Sequence, residues 1–190
     1  MKLSEMIDKI HKNAVDHGWW DETRSPGEII ALIHSEWSEA VEEARKGMPM
    51  RYKTALFGLN TLRIVPGDGK YEMSLAKPEG AAVEFADGAI RIMDYLGWRG
   101  FETESDFSEM CEYQLKLPEN VAEAAAYFHQ LTSFSLINAT GDADIHMESL
   151  LCALRASASW IAQMGMDPEE IILEKHHYNQ TRPYKHGKKF

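Results

Sequence analysis

The stretch Ile29–Gly47, IIALIHSEWSEAVEEARKG, decides the fold together with a second stretch of the same kind, Pro78–Gly97, PEGAAVEFADGAIRIMDYLG. Both place apolar residues at helical spacing, and both carry two acids three positions apart. The acid pairs are Glu36 with Glu39 and Glu84 with Asp87. Residues three apart lie on one face of a helix, so each stretch directs two carboxylates the same way. Two such helices packed face to face would bring four carboxylates together.

Four converging carboxylates repel one another unless a cation lies between them. Oxygen ligands of this kind suit Mg²⁺, with Mn²⁺ as a substitute, better than zinc. The pattern therefore favours a metal site that holds a phosphate-bearing substrate. Its ligands would be Glu36, Glu39, Glu84 and Asp87. The alternative is a solvated acidic face, which the neighbouring Glu42 and Glu43 would favour, whereas the apolar residues flanking each acid pair favour the site.

Capping residues predict the helix boundaries. Ser25-Pro26-Gly27-Glu28 predicts a helix start with a capping box, and the helix should run to Lys46. Lys77-Pro78-Glu79 predicts the start of the second acidic helix, and Gly97 its end. Along that helix Arg91 follows Asp87 by one turn, which favours an ion pair between them over a phosphate contact.

The other segments complete a helical bundle. Residues 48–77 predict a short β-hairpin or ordered loop, with strands at Thr61–Val65 and Tyr71–Leu75. Further helices are expected at 3–17, 102–117, 119–137, 145–165 and from Asp167 onward. The helices at 119–137 and 145–165 are strongly apolar and echo the acidic pair in position, which suggests an internal duplication without the acids. Their core residues would be Ala122, Ala125, Ala126, Phe128, Leu131, Leu150, Leu151, Leu154, Trp160 and Ile161.

The end of the chain is basic although the whole chain is acidic. From Lys175 onward there are five Lys or Arg residues and no Asp or Glu. Lys175, Asn179 and Arg182 share one helical face, and all three can donate to phosphate oxygens. This pattern predicts that the three residues contact phosphate. Pro183 and Gly187 predict an extended segment after Thr181. The alternative is a disordered solubilising tail.

Composition narrows the functional classes. The 190 residues are long enough for one domain, and a net charge of −10 argues against a nucleic-acid polymer as partner. The sequence contains no apolar run of membrane-spanning length and no apolar signal-peptide region at its start, so no membrane partner is expected. The two cysteines form no Cys-x-x-Cys pair, which favours reduced thiols in the cytoplasm.

The two acid pairs resemble those of the MazG-like all-α nucleoside triphosphate pyrophosphohydrolases. The closing run from Lys175 to Lys189 and the segment Gly18-Trp-Trp-Asp21 are also similar to that family. The resemblance covers residues 1–97 and 167–189. It implies a helical bundle that binds Mg²⁺ through the four acids and cleaves a nucleoside triphosphate between its α and β phosphates. It also implies a homodimer or homotetramer. Residues 98–166 are extra relative to the compact members, and the alternative is that these extra helices replace a partner subunit.

Individual roles follow from this chemistry. One of the acids, Glu39 for example, would orient the attacking water as general base, although spacing does not decide which. The distal phosphates would be held by Lys175, Asn179, Arg182 and Lys185. The base would be contacted by Asn13, Trp19 and Trp20. For the two tryptophans the alternative is a place in the core.

Three rival functions stay open at this stage. The nearest is a related pyrophosphohydrolase for phosphoribosyl-ATP, dUTP or dCTP. The second is a di-iron carboxylate bundle, for which the chain offers only Glu174-x-x-His177. The third is a non-enzymatic helical interaction module whose acidic faces are surface.

Overall fold

The computed structural model describes residues 1–57, 61–66, 76–112 and 116–187, and this part of the chain is mostly helical. Its regular elements are six helices and three strands, namely α1 Leu3–Asp16, α2 Pro26–Arg45, β1 Tyr52–Phe57, β2 Thr61–Pro66, β3 Lys77–Glu79, α3 Ala81–Trp98, α4 Val121–Asn138, α5 Ala143–Gln163 and α6 Pro168–Gln180. Short 3₁₀ helices lie at Phe107–Cys111 and Tyr184–Gly187. The expected all-α class with a small β element between the acidic helices is confirmed.

The start of α2 follows its local sequence. The Glu28 backbone N–H donates to Ser25 Oγ over 3.2 Å, and the Ser25 N–H donates to the Glu28 carboxylate over 2.7 Å. This reciprocal capping satisfies two N–H groups that the first helical turn leaves unpaired. The predicted helix is confirmed to within one residue, and its register places Glu36 on the buried face.

The start of α3 differs from the prediction. Pro78 lies in strand β3, and the helix begins at Ala81 after the N-cap residue Gly80. Gly80 has a φ of +109°, and a Cβ at this position would lie 2.5 Å from the Met50 carbonyl oxygen. Glycine alone fits this conformation and this close approach. The Lys77-Pro78-Glu79 start was therefore wrong, because pairing with a distant strand holds this segment extended.

The three strands form an antiparallel sheet in the order β2-β1-β3. The predicted strand at Thr61–Val65 is confirmed, but its partner is Tyr52–Phe57. The other predicted strand, Tyr71–Leu75, lies outside the described residues. Two polar contacts fix the sheet between helices, since the Tyr52 hydroxyl donates to Glu43 over 2.6 Å and the Arg51 guanidinium pairs with Glu174 over 2.9 Å.

Helix α3 is the centre of the bundle. Fourteen of its eighteen residues are buried, and α1, α2, α5 and α6 all pack against it. Gly88 allows α2 to come close, because a Cβ at this position would lie 2.1 Å from Trp37 Nε1. This close approach lets the acids of α2 and α3 face one another.

The second helical pair is confirmed as α4 and α5, which pack on each other. Helix α4 also packs on α2, and α5 packs on α3. Most of its expected core is buried, namely Ala125, Phe128, Leu150, Leu151, Leu154, Trp160 and Ile161. Ala122 and Ala126 were wrong, since both are exposed, and Leu131 is half-buried. Helix α4 is apolar around most of its surface, so periodicity alone did not identify its buried face. The duplication stays a hypothesis.

The helix expected at 102–117 was wrong, because the described part of this segment forms only the 3₁₀ helix Phe107–Cys111. Its backbone is paired with the start of the chain instead. The Leu3 N–H donates to the Ser105 carbonyl over 3.0 Å, and the Phe107 N–H donates to the Met1 carbonyl over 2.9 Å. Hydrogen bonds to Met1 and Leu3 therefore replace those that a helix would have made within the segment.

Candidate functional site

Three of the predicted ligands form a carboxylate cluster between α2 and α3. Oxygens of Glu36, Glu39 and Glu84 all lie within 4.8 Å of one another. Glu36 and Glu84 are buried, whereas Glu39 is exposed. Asp87 lies one turn beyond Glu84 on α3 and is also buried. Burial of three acids is costly unless cations or hydrogen-bond donors are close by.

Two cations share the space with these acids, the half-buried Arg91 and the buried Lys175. The Arg91 guanidinium binds one Glu36 oxygen through Nε at 2.6 Å and through a terminal nitrogen at 2.5 Å. The Lys175 Nζ lies 3.3 Å from Asp87 and 3.7 Å from Glu84. Two sequence-based expectations are thereby corrected. Arg91 pairs across the helix interface rather than with Asp87 along its own helix, and Lys175 is occupied by the acids rather than presented to a phosphate.

The protonation behaviour of the cluster follows from burial. Burial raises the pKa of Glu36, and the nearby Asp87 carboxylate adds to the effect. Burial also raises the pKa of Glu84 to about 7, although Lys175 opposes the shift. Burial would raise the pKa of Asp87 as well, but Lys175 and Arg91 outweigh it and hold that pKa below its ordinary value. A further positive charge would therefore stabilise the ionised form of the cluster.

The donor set fits a hard divalent cation. Every ligand candidate is a carboxylate oxygen, which is the ligand type that Mg²⁺ and Mn²⁺ prefer. When all four acids are ionised, the charges of Arg91 and Lys175 leave two negative charges uncompensated. A second observation points to a missing partner, because Asn179 Oδ1 is buried and accepts no hydrogen bond among the described residues, while Nδ2 of the same side chain donates to Asp87 over 3.4 Å.

An open pocket lies beside the cluster, and the space within its outline, open solvent included, is about 750 Å³. Asp87 and Arg91 line the pocket and also connect it to the cluster, because Arg91 binds Glu36 and Asp87 shares Lys175 with Glu84. Its walls include all three residues expected at the base and two of the four expected at the phosphates, namely Asn13, Trp19, Trp20, Asn179 and Arg182. The structure therefore brings together residues from α1, the loop after it, α3, α6 and the segment that follows α6.

Both tryptophans have one ring face covered. Trp20 stacks on Trp98 with ring centroids 5.1 Å apart, and its Nε1 donates to Asp94 over 2.8 Å. The Arg24 guanidinium lies 5.5 Å from the centre of the Trp19 ring. Both side chains are half-buried in the pocket wall.

The basic end of the chain folds back onto the end of α1. The Lys185 N–H donates to the His17 carbonyl over 3.0 Å, and its Nζ lies 3.7 Å from Asp21. The Tyr184 hydroxyl also donates to Asp21. The expectation of an extended segment was wrong for 184–187, which form a 3₁₀ helix. Lys185 faces Asp21 and does not line the pocket, so its expected phosphate contact is not supported, whereas Arg182 lines the pocket without an ion-pair partner among the described residues.

Two polar pocket residues, Asp94 and Arg24, were not assigned a role from the sequence, and Arg91 was assigned only the ion pair with Asp87. Asp94 and Arg91 lie on the same stripe of α3 as Glu84, so the helical period carried a signal for both. Arg24 lies in a loop, where no period indicates the direction of a side chain. The di-iron alternative loses its motif here, because the Glu174 carboxylate is bound by Arg51 and Lys53.

Comparison with family models, with curated proteins and with solved structures gave no match to this chain. None of the helices in the described part of the chain combines the length and apolar character needed to cross a bilayer. Cys111 and Cys152 are both free thiols.

Proposed function

We propose that this chain is a Mg²⁺-dependent pyrophosphohydrolase that converts a nucleoside or deoxynucleoside triphosphate into the monophosphate and pyrophosphate. The observation that carries the proposal is the carboxylate cluster of Glu36, Glu39 and Glu84, continuous through Asp87 with a pocket that has aromatic and cationic walls. The cluster suits a divalent cation, and the pocket suits a flat, negatively charged ligand. A nucleotide with its metal ion has both properties.

The residues that would hold Mg²⁺ are Glu36, Glu39, Glu84 and Asp87. When bound, the ion neutralises phosphate charge and polarises the phosphoryl oxygens. Asn179 is close enough to Asp87 to hold that carboxylate in orientation while its own Oδ1 remains free for the ligand. Lys175 keeps Glu84 and Asp87 close together in spite of their like charges.

The chemical step needs a base and a place for the leaving group. Glu39 is the one exposed member of the cluster and has no ion-pair partner among the described residues, so it is free to accept the proton of an attacking water. Water attack at the α-phosphorus breaks the bond to the oxygen that bridges the α and β phosphates. Arg182 supports the pyrophosphate that leaves, because its guanidinium lines the pocket.

The test is pyrophosphate release with Mg²⁺ from the four canonical dNTPs, dUTP, the rNTPs and phosphoribosyl-ATP. Glu39→Gln should lower turnover by roughly a hundredfold or more, because it removes the base and one oxygen ligand. Glu42→Gln is the matched control, since Glu42 is exposed on the same helix and pairs with Arg45. If both variants release pyrophosphate at the wild-type rate, the assignment of the site is wrong.

Two other functions make different predictions in the same assay. A phosphoribosyl-ATP, dUTP or dCTP enzyme shares this metal chemistry and would respond to one substrate of the panel. A helical interaction module would release no pyrophosphate from any of them. The pairing of Arg91 with Glu36 and the pocket beside it favour the enzyme, because a solvated acidic face would need neither.

The proposal includes a cytoplasmic homodimer or homotetramer. The family resemblance implies such an assembly, and α4 and α5 offer the other possibility by covering α2 and α3 within one chain. Light scattering of the purified chain measures the mass directly. If a monomer is fully active, α4 and α5 take the place of a second subunit by covering α2 and α3.

A further inference from the structure

Asp94 lies in the pocket wall with half of its acceptor capacity unused. Its Oδ1 accepts from Trp20 Nε1 and from His11 Nδ1, each over 2.8 Å. A carboxylate only accepts, so His11 must carry its proton on Nδ1. Asp94 Oδ2 accepts no hydrogen bond from the described residues, and the side chain is 20% exposed where it lines the pocket. The two donors fix the direction of the carboxylate and leave Oδ2 for a ligand.

The position of Asp94 along α3 matches the length of a nucleotide. Asp87 and Asp94 are seven residues apart on one face of the helix, which corresponds to about 10 Å along its axis. A nucleoside monophosphate in an extended conformation spans a similar length from its phosphate to the far edge of its base. Ile90 lines the pocket between the two acids and provides an apolar surface for the sugar. Phosphates held near Asp87 therefore place the edge of the base near Asp94.

Two polar groups, from Asp94 and Asn13, line this end of the pocket. Asp94 offers an acceptor, and the Asn13 side chain, which has no hydrogen-bond partner among the described residues, offers a donor from its amide. Cytosine and adenine present the complementary pattern, an exocyclic amino donor next to a ring-nitrogen acceptor. Uracil, thymine and hypoxanthine present the reversed pattern, a carbonyl oxygen in place of the amino group and a ring N–H in place of the ring acceptor. A carboxylate that faces the exocyclic position repels that oxygen. A site built to accept from an amino group strongly rejects an analogue that lacks it.

We infer that Asp94 selects nucleotides whose base carries an exocyclic amino group, of the cytosine or adenine type, over their oxo counterparts. This inference rests on the proposed function for the placement of the phosphates. His11 and Trp20 are positioning residues, since both contact Asp94 and hold its carboxylate in place. Asn13 completes the contact with the base.

The experiment compares matched pairs that differ at this one group, dCTP with dUTP and dATP with dITP, by kcat/KM in the presence of Mg²⁺. The amino member should be favoured by roughly tenfold to a hundredfold in at least one pair, as expected for a hydrogen bond to a charged group. Equal kcat/KM values within both pairs, or a preference for the oxo member in either, would overturn the inference while leaving the proposed function intact. The comparison needs only the wild-type chain, so it does not depend on how a variant folds.

Asp94→Asn tests the residue itself. An amide offers either a donor or an acceptor, so the preference should fall to about threefold or less while the oxo substrate gains or keeps its kcat/KM. Asp144→Asn is the control, because Asp144 is exposed at the start of α5 and does not line the pocket. If no triphosphate is hydrolysed, the proposed function fails, and calorimetry with dCMP and dUMP then tests the base preference alone. Tighter binding of dCMP supports it, and equal or tighter binding of dUMP contradicts it.

Discussion

At Glu84 the stability of the fold and the proposed chemistry oppose each other. The side chain is almost completely buried beside Asp87 and Glu36, and burial raises its pKa from 4.5 to about 7 even though Lys175 is near. A group whose pKa is higher in the folded state stabilises the fold below its unfolded pKa and loses that contribution as the pH rises through the folded value. The ionised form that a metal ligand requires is therefore the form that the metal-free fold tolerates least.

We expect Glu84→Gln to make the metal-free protein more stable at high pH. At about pH 8 the gain should approach 3 kcal/mol, which is the free energy equivalent to the shift in pKa, and at about pH 4, below the unfolded pKa, it should nearly vanish. Urea unfolding in EDTA at both pH values measures the difference, with Glu42→Gln as the exposed control. A Glu84→Gln protein no more stable than wild type at the higher pH would show that Lys175 already compensates the buried charge.

Arg182 is the residue through which the end of the chain reaches the pocket. We expect Arg182→Gln to weaken triphosphate binding by roughly tenfold and monophosphate binding much less, because a guanidinium near the distal phosphates contacts only the longer ligand. Calorimetry with a non-hydrolysable triphosphate and with the monophosphate measures both. Arg155→Gln, an exposed arginine on α5, is the control. An equal loss for the two ligands would remove Arg182 from the phosphate site.

At the scale of elements, the site depends on how closely α2 approaches α3. Trp37 of α2 lies directly over Gly88 of α3, and the facing carboxylates are on the same two helices. The pair of helices is therefore held at a distance that a single methyl group would change.

We expect Gly88→Ala to destabilise the protein by about 1–3 kcal/mol, although alanine favours helices over glycine, because the new Cβ would overlap the Trp37 ring. Turnover should fall with it, since α2 would carry Glu36 and Glu39 away from Glu84. Gly27→Ala is the control, because a Cβ in that first turn of α2 would meet only Ser25 Oγ at 3.9 Å. Urea unfolding and pyrophosphate release measure the two effects. Equal stability of both variants would mean that Trp37 moves without cost.

At the scale of the whole molecule, one chain of aromatic rings connects the acidic helices with the second helical pair. Trp37 on α2 contacts Phe128 on α4, Phe128 contacts Phe85 on α3, and Phe85 contacts Trp160 on α5, with ring centroids 4.8 to 5.4 Å apart. The four rings are fully buried. Residues 98–166 thus contribute to the same core as the site.

We expect the chain to unfold as a single cooperative unit. Tryptophan fluorescence and far-UV circular dichroism should give coincident urea transitions, and Phe128→Ala should shift both by the same amount, with a loss of about 3–5 kcal/mol. Tyr127→Ala is a useful comparison, because its side chain is only half-buried. Separate transitions for the two probes would divide the chain into two domains.

The sequence predicted what local chemistry determines. The capping box at Ser25 and the acid spacing on both helices were sufficient to place Glu36 and Glu84 on facing surfaces. Contacts between segments that are far apart in sequence could not be predicted from local sequence patterns. Pro78 was misassigned because β1 holds it extended, and Arg91 was paired with Asp87 because Glu36 becomes its neighbour only after the helices pack. The same limit applies to Lys185, whose partner Asp21 is far away in sequence.

The most direct test of the account is the identity of the products when the purified chain is incubated with dCTP or dATP and Mg²⁺. Phosphorus NMR distinguishes cleavage between the α and β phosphates from cleavage between the β and γ phosphates. The account predicts nucleoside monophosphate and pyrophosphate in equal amounts, with no reaction in EDTA. Formation of nucleoside diphosphate and inorganic phosphate, or no reaction with Mg²⁺ or Mn²⁺ across the whole substrate panel, would contradict it.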